Sequence, residues 1–138
     1  MSLNIENLEH ILNNNNHTIL NKTYHKINTE KNDSLQQIIK DKNKLKDINK
    51  RLKEYRYIDE ISDIVIGNYC RWINLNNIDL NLEKGGYISS VNISENGPYI
   101  TVKIFNKCIN IKANEILLYQ KLNSQEKLLI KVMKYIEK

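Results

Sequence analysis

The residues of this sequence that could do chemistry are few and scattered. Asp59, Glu60 and Asp63 are spaced so that a general acid could sit beside a base. They fall, however, at the junction of two differently composed halves, where a solvated linker is the simpler reading. Cys70 and Cys108 could act as nucleophiles, but neither is followed by a turn that would expose it. All three histidines, His10, His17 and His25, lie far upstream of both. No two of these five residues have C-x₂₋₄-C or H-x₃₋₅-H spacing, so no zinc ligand set is expected. Gly85-Gly86 lacks the Gly-Lys-Ser/Thr of a phosphate loop, and Ser89 and Ser90 behind it do not form a nucleophile elbow. The expectation is a protein without catalytic residues, metal or cofactor.

What remains is binding chemistry, in two places. In "GNYCRWINL", residues 67–75, Arg71 stands beside the chain's single Trp, Trp72. On a strand the two point to opposite faces, Arg71 with Tyr69, Ile73 and Leu75, and Trp72 with Cys70 and Asn74. Trp72 is then either part of the core framework or the exposed anchor of a partner-binding groove. In the second case Arg71, Trp72, Tyr87, Tyr99 and Tyr119 are the candidate contacts. The other place is "KDKNKLKDINKRLKEYR", residues 40–56, with eight Lys or Arg against Asp41, Asp47 and Glu54. On a helix Lys42, Lys46, Lys50 and Lys53 share a face and are candidate phosphate contacts. An ordinary solvated face is the alternative.

The net charge of +5 and pI of 9.1 allow a nucleic-acid partner or an acidic protein. Asn, Ile and Lys, at 22, 22 and 18 residues, make up so much of the chain that part of the basicity is coding bias. For the same reason "NNNN" at 13–16 and the Asn-X-Ser/Thr triplets carry little weight. "MSLNIENLEHIL" lacks the basic start and apolar block of a secretory leader. With only two thiols, a reducing intracellular compartment is expected. No run of 18 apolar residues predicts a membrane span.

Two halves must position these residues. Residues 1–57 contain no Gly or Pro, while all four Gly and the one Pro fall between 67 and 98. Before the boundary, Leu8, Ile11 and Leu12, and then Leu20, Tyr24 and Ile27, suggest short helices. "NDSLQQ" offers Asp33 or Ser34 as an N-cap, and Leu35, Ile38, Leu45, Ile48, Leu52 and Tyr55 recur at mostly helical spacing, with Asp41 interrupting one row. The spacing predicts one helix over 33–57 whose narrow seam seeks a partner helix, hence self-association. After the boundary the period is two. Residues 64–75, 87–94, 99–105, 108–113 and 117–122 read as five strands, with Ile100, Val102 and Ile104 facing a core. "SENGPY" is a turn, "FNKC" a tight hairpin around Asn106-Lys107, and "NEI" at 114–116 a helical kink. A helix capped by Asn123 or Ser124 ends the chain.

That element order resembles an SH3-like small barrel, with an OB-like barrel as the alternative. The residue bias, with "YCRWI", "KGGYI" and "LYQKL", also resembles small barrel proteins of large nucleocytoplasmic DNA viruses. The resemblance implies a non-enzymatic virion or assembly component and supplies no functional motif to map. The expected architecture is α+β: a helical arm with coiled-coil character (1–60), a five-stranded barrel (61–122) and a C-terminal docking helix (123–138). The function expected is a non-enzymatic interaction or assembly protein with protein partners. Nucleic-acid binding through Lys-rich surfaces, or peptide reading, is the alternative.

Overall fold

The computed structural model describes residues 24–136, so the readings at Leu8–Leu12, Leu20, His10 and His17 lie outside the described residues. The chain is α+β. Helices α1 (Tyr24–Ile38) and α2 (Lys42–Arg51) precede strand β1 (Tyr55–Ile58), and a 3-10 turn (Ile61–Asp63) leads to β2 (Tyr69–Asn74). Then come β3 (Gly86–Ser94), β4 (Gly97–Ile104), β5 (Lys107–Lys112), a second 3-10 turn (Ala113–Glu115), β6 (Ile116–Lys121) and α3 (Ser124–Ile136).

The single helix expected over 33–57 is two helices and a strand. Asp41 makes the break. Its backbone is extended, and its carboxylate accepts from the N–H groups of Asn43 at 2.9 Å and Lys44 at 3.4 Å. An Asp is worth more as an N-cap than in a helix interior, where its side chain competes with the backbone. Asp33 and Ser34 do not cap a helix; both lie inside α1. The buried Ser34 hydroxyl bonds the Lys31 carbonyl and the Tyr119 hydroxyl, each at 2.7 Å. Tyr55 continues the heptad row in sequence, yet it opens β1.

All six strands are antiparallel, in the order β1-β6-β2-β3-β4-β5. The sheet is open, with β1 and β5 at its edges, so the closed five-stranded barrel of the expectation is not what forms. The unforeseen strand β1 takes the free side of β6. Two cores share β2 between them. Ile73 and Tyr119 face Leu35, Ile39, Ile48 and Leu52 of the helical segment. Cys70 and Trp72 face the other way, onto Ile58, Ile88, Ile100, Val102, Ile116 and Leu118. The apolar seam expected to recruit a second helix is thus covered by the chain's own sheet: Leu35 and Leu52 have no exposed surface. The first of the two cores is thus built jointly by helices and sheet.

A bulge between Ile88 and Ser90 lets Ile88 and Val91, three apart, turn to the same Trp72 core. The helix α3 is docked twice. Leu129 and Ile130 pack on Ile27 of α1. At its start Asn123 and Glu126 form a reciprocal capping box: the Asn123 amide oxygen accepts from the Glu126 N–H at 2.8 Å, and the Glu126 carboxylate from the Asn123 N–H at 3.1 Å. The same buried carboxylate pairs with the buried guanidinium of Arg56 at 3.2 Å.

Two stability predictions follow from this packing. Val102 is fully buried and Lys103 exposed, so Val102→Asp should abolish cooperative folding. Lys103→Asp should shift a urea transition by less than about 0.5 kcal/mol. Glu126→Ala leaves Arg56 as an unpaired buried charge and should destabilise by about 3–5 kcal/mol. The double change Arg56→Met with Glu126→Leu removes both charges and should cost less than the single one in the same urea titration.

Candidate functional site

On the helix-facing side of β2 and its continuation on β3, Tyr69 and Tyr87 stand directly opposite each other, Tyr69 half-buried against the helix-facing core and Tyr87 exposed. Their rings meet edge to face, with centroids 5.1 Å apart and an interplanar angle of 83°. The Tyr69 hydroxyl donates to the Lys84 carbonyl at 2.8 Å, which fixes that ring. This pair is the ridge between two open depressions. One, of about 470 Å³, is lined also by Gly85, Gly86, Lys103, Ile104 and Phe105. The other, of about 340 Å³, is lined also by Tyr55, Gly67, Asn68, Lys121, Leu122 and Asn123. Neither lining includes a carboxylate, and each includes a lysine.

The backbone here is specified by its sequence. Gly85 has a φ of +95°, and a Cβ there would collide with the Cys70 carbonyl. At Gly86 a Cβ would lie 2.6 Å from the Lys103 carbonyl oxygen and 2.7 Å from Val102 Cγ1. The two glycines let β2, β3 and β4 pass close enough to build the ridge. At the far end Ile104 pairs with Lys107, so the hairpin turn is Phe105-Asn106, one residue earlier than expected. Phe105 has a φ of +55° and is 92% exposed. A tight hairpin prefers Gly or Asn at such a position, and a bulky residue there is strained.

The five aromatic and basic candidates do not converge. Tyr87 is on the ridge and 57% exposed. Trp72, 7% exposed, is part of the core framework. Tyr119 is fully buried and bonded to Ser34. Arg71 is half-buried and donates through Nε to the Glu83 carbonyl at 2.8 Å. Tyr99 lies at the other end of β4, in a separate depression with Asn110 and Lys112. Lys42, Lys46, Lys50 and Lys53 are all exposed, on α2 and just beyond it. Tyr69 and Phe105, which complete the groove, were not among the expected contacts. Tyr69 could have been found from the Arg71 side of the strand alternation. Phe105 ended an alternating run and so read as strand.

The remaining groups have structural settings. Asp63 offers its backbone carbonyl to Arg56 at 2.8 Å, while Asp59 and Glu60 are exposed. His25 is exposed on α1, and Ser89 bonds the Thr101 carbonyl. Among the described residues no group of three or more His, Cys, Asp or Glu could hold a metal ion, and no helix is long and apolar enough to cross a membrane. Both cysteines are free, Cys70 buried and Cys108 exposed.

No model of a known protein family, no curated protein and no solved structure matches this chain.

Burial pushes the Cys70 thiol up to about 12, slightly opposed by a bond from the Gly86 backbone. Burial also raises the phenols of Tyr55, Tyr57 and Tyr119, the last opposed by its bond to Ser34. In each case the fold favours the neutral form. The stabilisation is therefore complete below the ordinary value, 9.0 for the thiol and 10.0 for the phenols, and is lost as pH rises beyond it. Urea stability should fall above pH 9, each group contributing up to about 1.4 kcal/mol per pH unit. Cys70→Ala should start less stable and decline less steeply between pH 9 and about 12. At pH 8 an alkylating reagent should label Cys108 in the native protein and Cys70 only in urea.

Proposed function

We propose that this chain is a non-enzymatic interaction protein that captures its partner in the Tyr69–Tyr87–Phe105 groove. The observation that carries the proposal is Phe105. A large apolar ring is held outward at a strained backbone position and stays almost fully exposed among the described residues. Strain and exposure of this kind cluster at binding sites, where contact with a ligand compensates them. The lining offers stacking, apolar contact, amide hydrogen bonds and ammonium groups, which suits recognition.

The strand order supports an SH3-like relationship over an OB-like one. Strand β6 lies beside β2, and β3, β4 and β5 follow in sequence as a meander, with a 3-10 turn before β6. In this reading β1 is an added edge strand. The resemblance in residue bias to proteins of large DNA viruses makes virion assembly the proposed setting. Two free thiols, one of them exposed, fit a reducing intracellular compartment.

A photo-crosslinking residue placed at Phe105 in the full chain tests the proposal in the native source. The control carries the same group at Ile78, which is 96% exposed in the β2–β3 connection. Adducts should form at position 105 and not at 78. Equal labelling at both positions, or none at 105, would overturn the assignment of the groove.

A further inference from the structure

The six strands contain Arg56, Arg71, Lys103, Lys107, Lys112 and Lys121 and no Asp or Glu. Every carboxylate side chain of the described residues belongs to a helix, turn or loop. On the open face of the sheet this bias combines with the aromatic ridge. Tyr69 pairs with Tyr87, Tyr87 with Lys103, and Lys103 with Cys108, one row across four adjacent strands. Neighbouring strands are about 4.8 Å apart, so two rings and an ammonium group follow one another at that interval. Phe105 stands two residues beyond Lys103, and Lys84 and Lys107 are exposed close by in sequence.

We infer that this row, ended by Phe105, binds single-stranded nucleic acid, with bases stacking on Tyr87 and Phe105 and phosphates meeting Lys103 and its neighbours. The inference rests on the groove being the contact surface and names its occupant. Exposed rings beside lysines on a sheet suit unpaired bases, because every base has a face to stack and every linkage an anion. A duplex hides its base faces. An acidic peptide would answer the ammonium groups but leave the rings without a planar partner. A cationic ligand would meet lysines in both depressions and no carboxylate. The lysines of α2 have no exposed ring among them and provide the internal control.

The test is fluorescence anisotropy with purified full-length protein. The probes are labelled single-stranded DNA and RNA of roughly 12 nucleotides, within the span of known single-strand sites. A duplex of the same length, polyglutamate and a random peptide array complete the set. Single strands should bind more tightly than duplex or polyglutamate, and the DNA and RNA arms show which sugar is preferred. Tyr87→Ala and Phe105→Ala should each weaken binding roughly tenfold or more, and Tyr87→Phe should not. Lys103→Gln should flatten the log–log salt dependence by about 0.7, as expected for one lost phosphate contact. Lys42→Gln with Lys46→Gln should leave affinity unchanged. Circular dichroism checks that each variant is folded. Equal binding of polyglutamate or duplex, or insensitivity to both alanine changes, overturns the inference. Peptides bound in a Tyr87-dependent way, with no oligonucleotide bound, overturn it while the groove reading stands. Neither class bound overturns both.

Discussion

The guanidinium of Arg56 lies where water cannot reach it, and burying a charge costs several kcal/mol unless it is paired and hydrogen-bonded. Its Nε meets the Glu126 carboxylate and one terminal nitrogen meets the Asp63 carbonyl, while Nη1 has no partner among the described residues. Glu126 is equally buried and must satisfy its own oxygens, which it does on Arg56, on the side-chain amide of Asn68 at 3.4 Å and on the Asn123 backbone. One carboxylate therefore ties together the edge strand β1, the turn after it, the entrance to β2 and the first turn of α3. Asn68 and Asn123 also line the smaller depression beside Tyr69. The ion pair thus anchors one wall of the groove as well as the fold.

A second constraint is that β2 and β6 are covered on both sides. Ile73 and Tyr119 take the helical segment, and Trp72 and Leu118 take the curved remainder of the sheet. Neither core is large, and each depends on the other keeping the strands in register. Polar groups at the seams are satisfied inside the chain. The ammonium of Lys31 donates to the carbonyls of Leu52, at the end of α2, and Tyr55. Its burial lowers its proton affinity, and its position favours a cation at the negative end of a helix. Gln120 bonds the Val65 backbone through both ends of its amide. Interior polar groups of this kind specify one arrangement of helices on sheet.

The strands beyond β2 differ. No residue of β3, β4 or β5 belongs to the core that faces the helices, so their outer surface stays open. Tyr87 and Phe105 are large side chains that this openness leaves in solvent, beside a lysine in a groove whose lining holds no carboxylate. The geometry that exposes them comes from glycines that admit no Cβ and from a hairpin register that places a phenylalanine in the turn.

The sequence by itself determined what depends on neighbours along the chain. Period-two alternation located β3 to β6 to within two residues and the end of β2 to within one, the turn expected in 94–99 falls at Glu95-Asn96, and Asn123 with Glu126 capped the last helix, because each rule acts over four residues or fewer. Even the break at Asp41 was visible as an interruption, though its strength as a cap was outweighed there by the heptad spacing. Tertiary structure decided the rest. Strand β1 exists because Arg56 finds Gln120 and Glu126, both more than 60 residues away, and no local pattern carries that information. Packing between remote segments made Trp72 framework, set Tyr69 half-buried at the margin of the helix-facing core and left Phe105 outside. Which face of an alternating strand is covered depends on what the remote helices have already occupied.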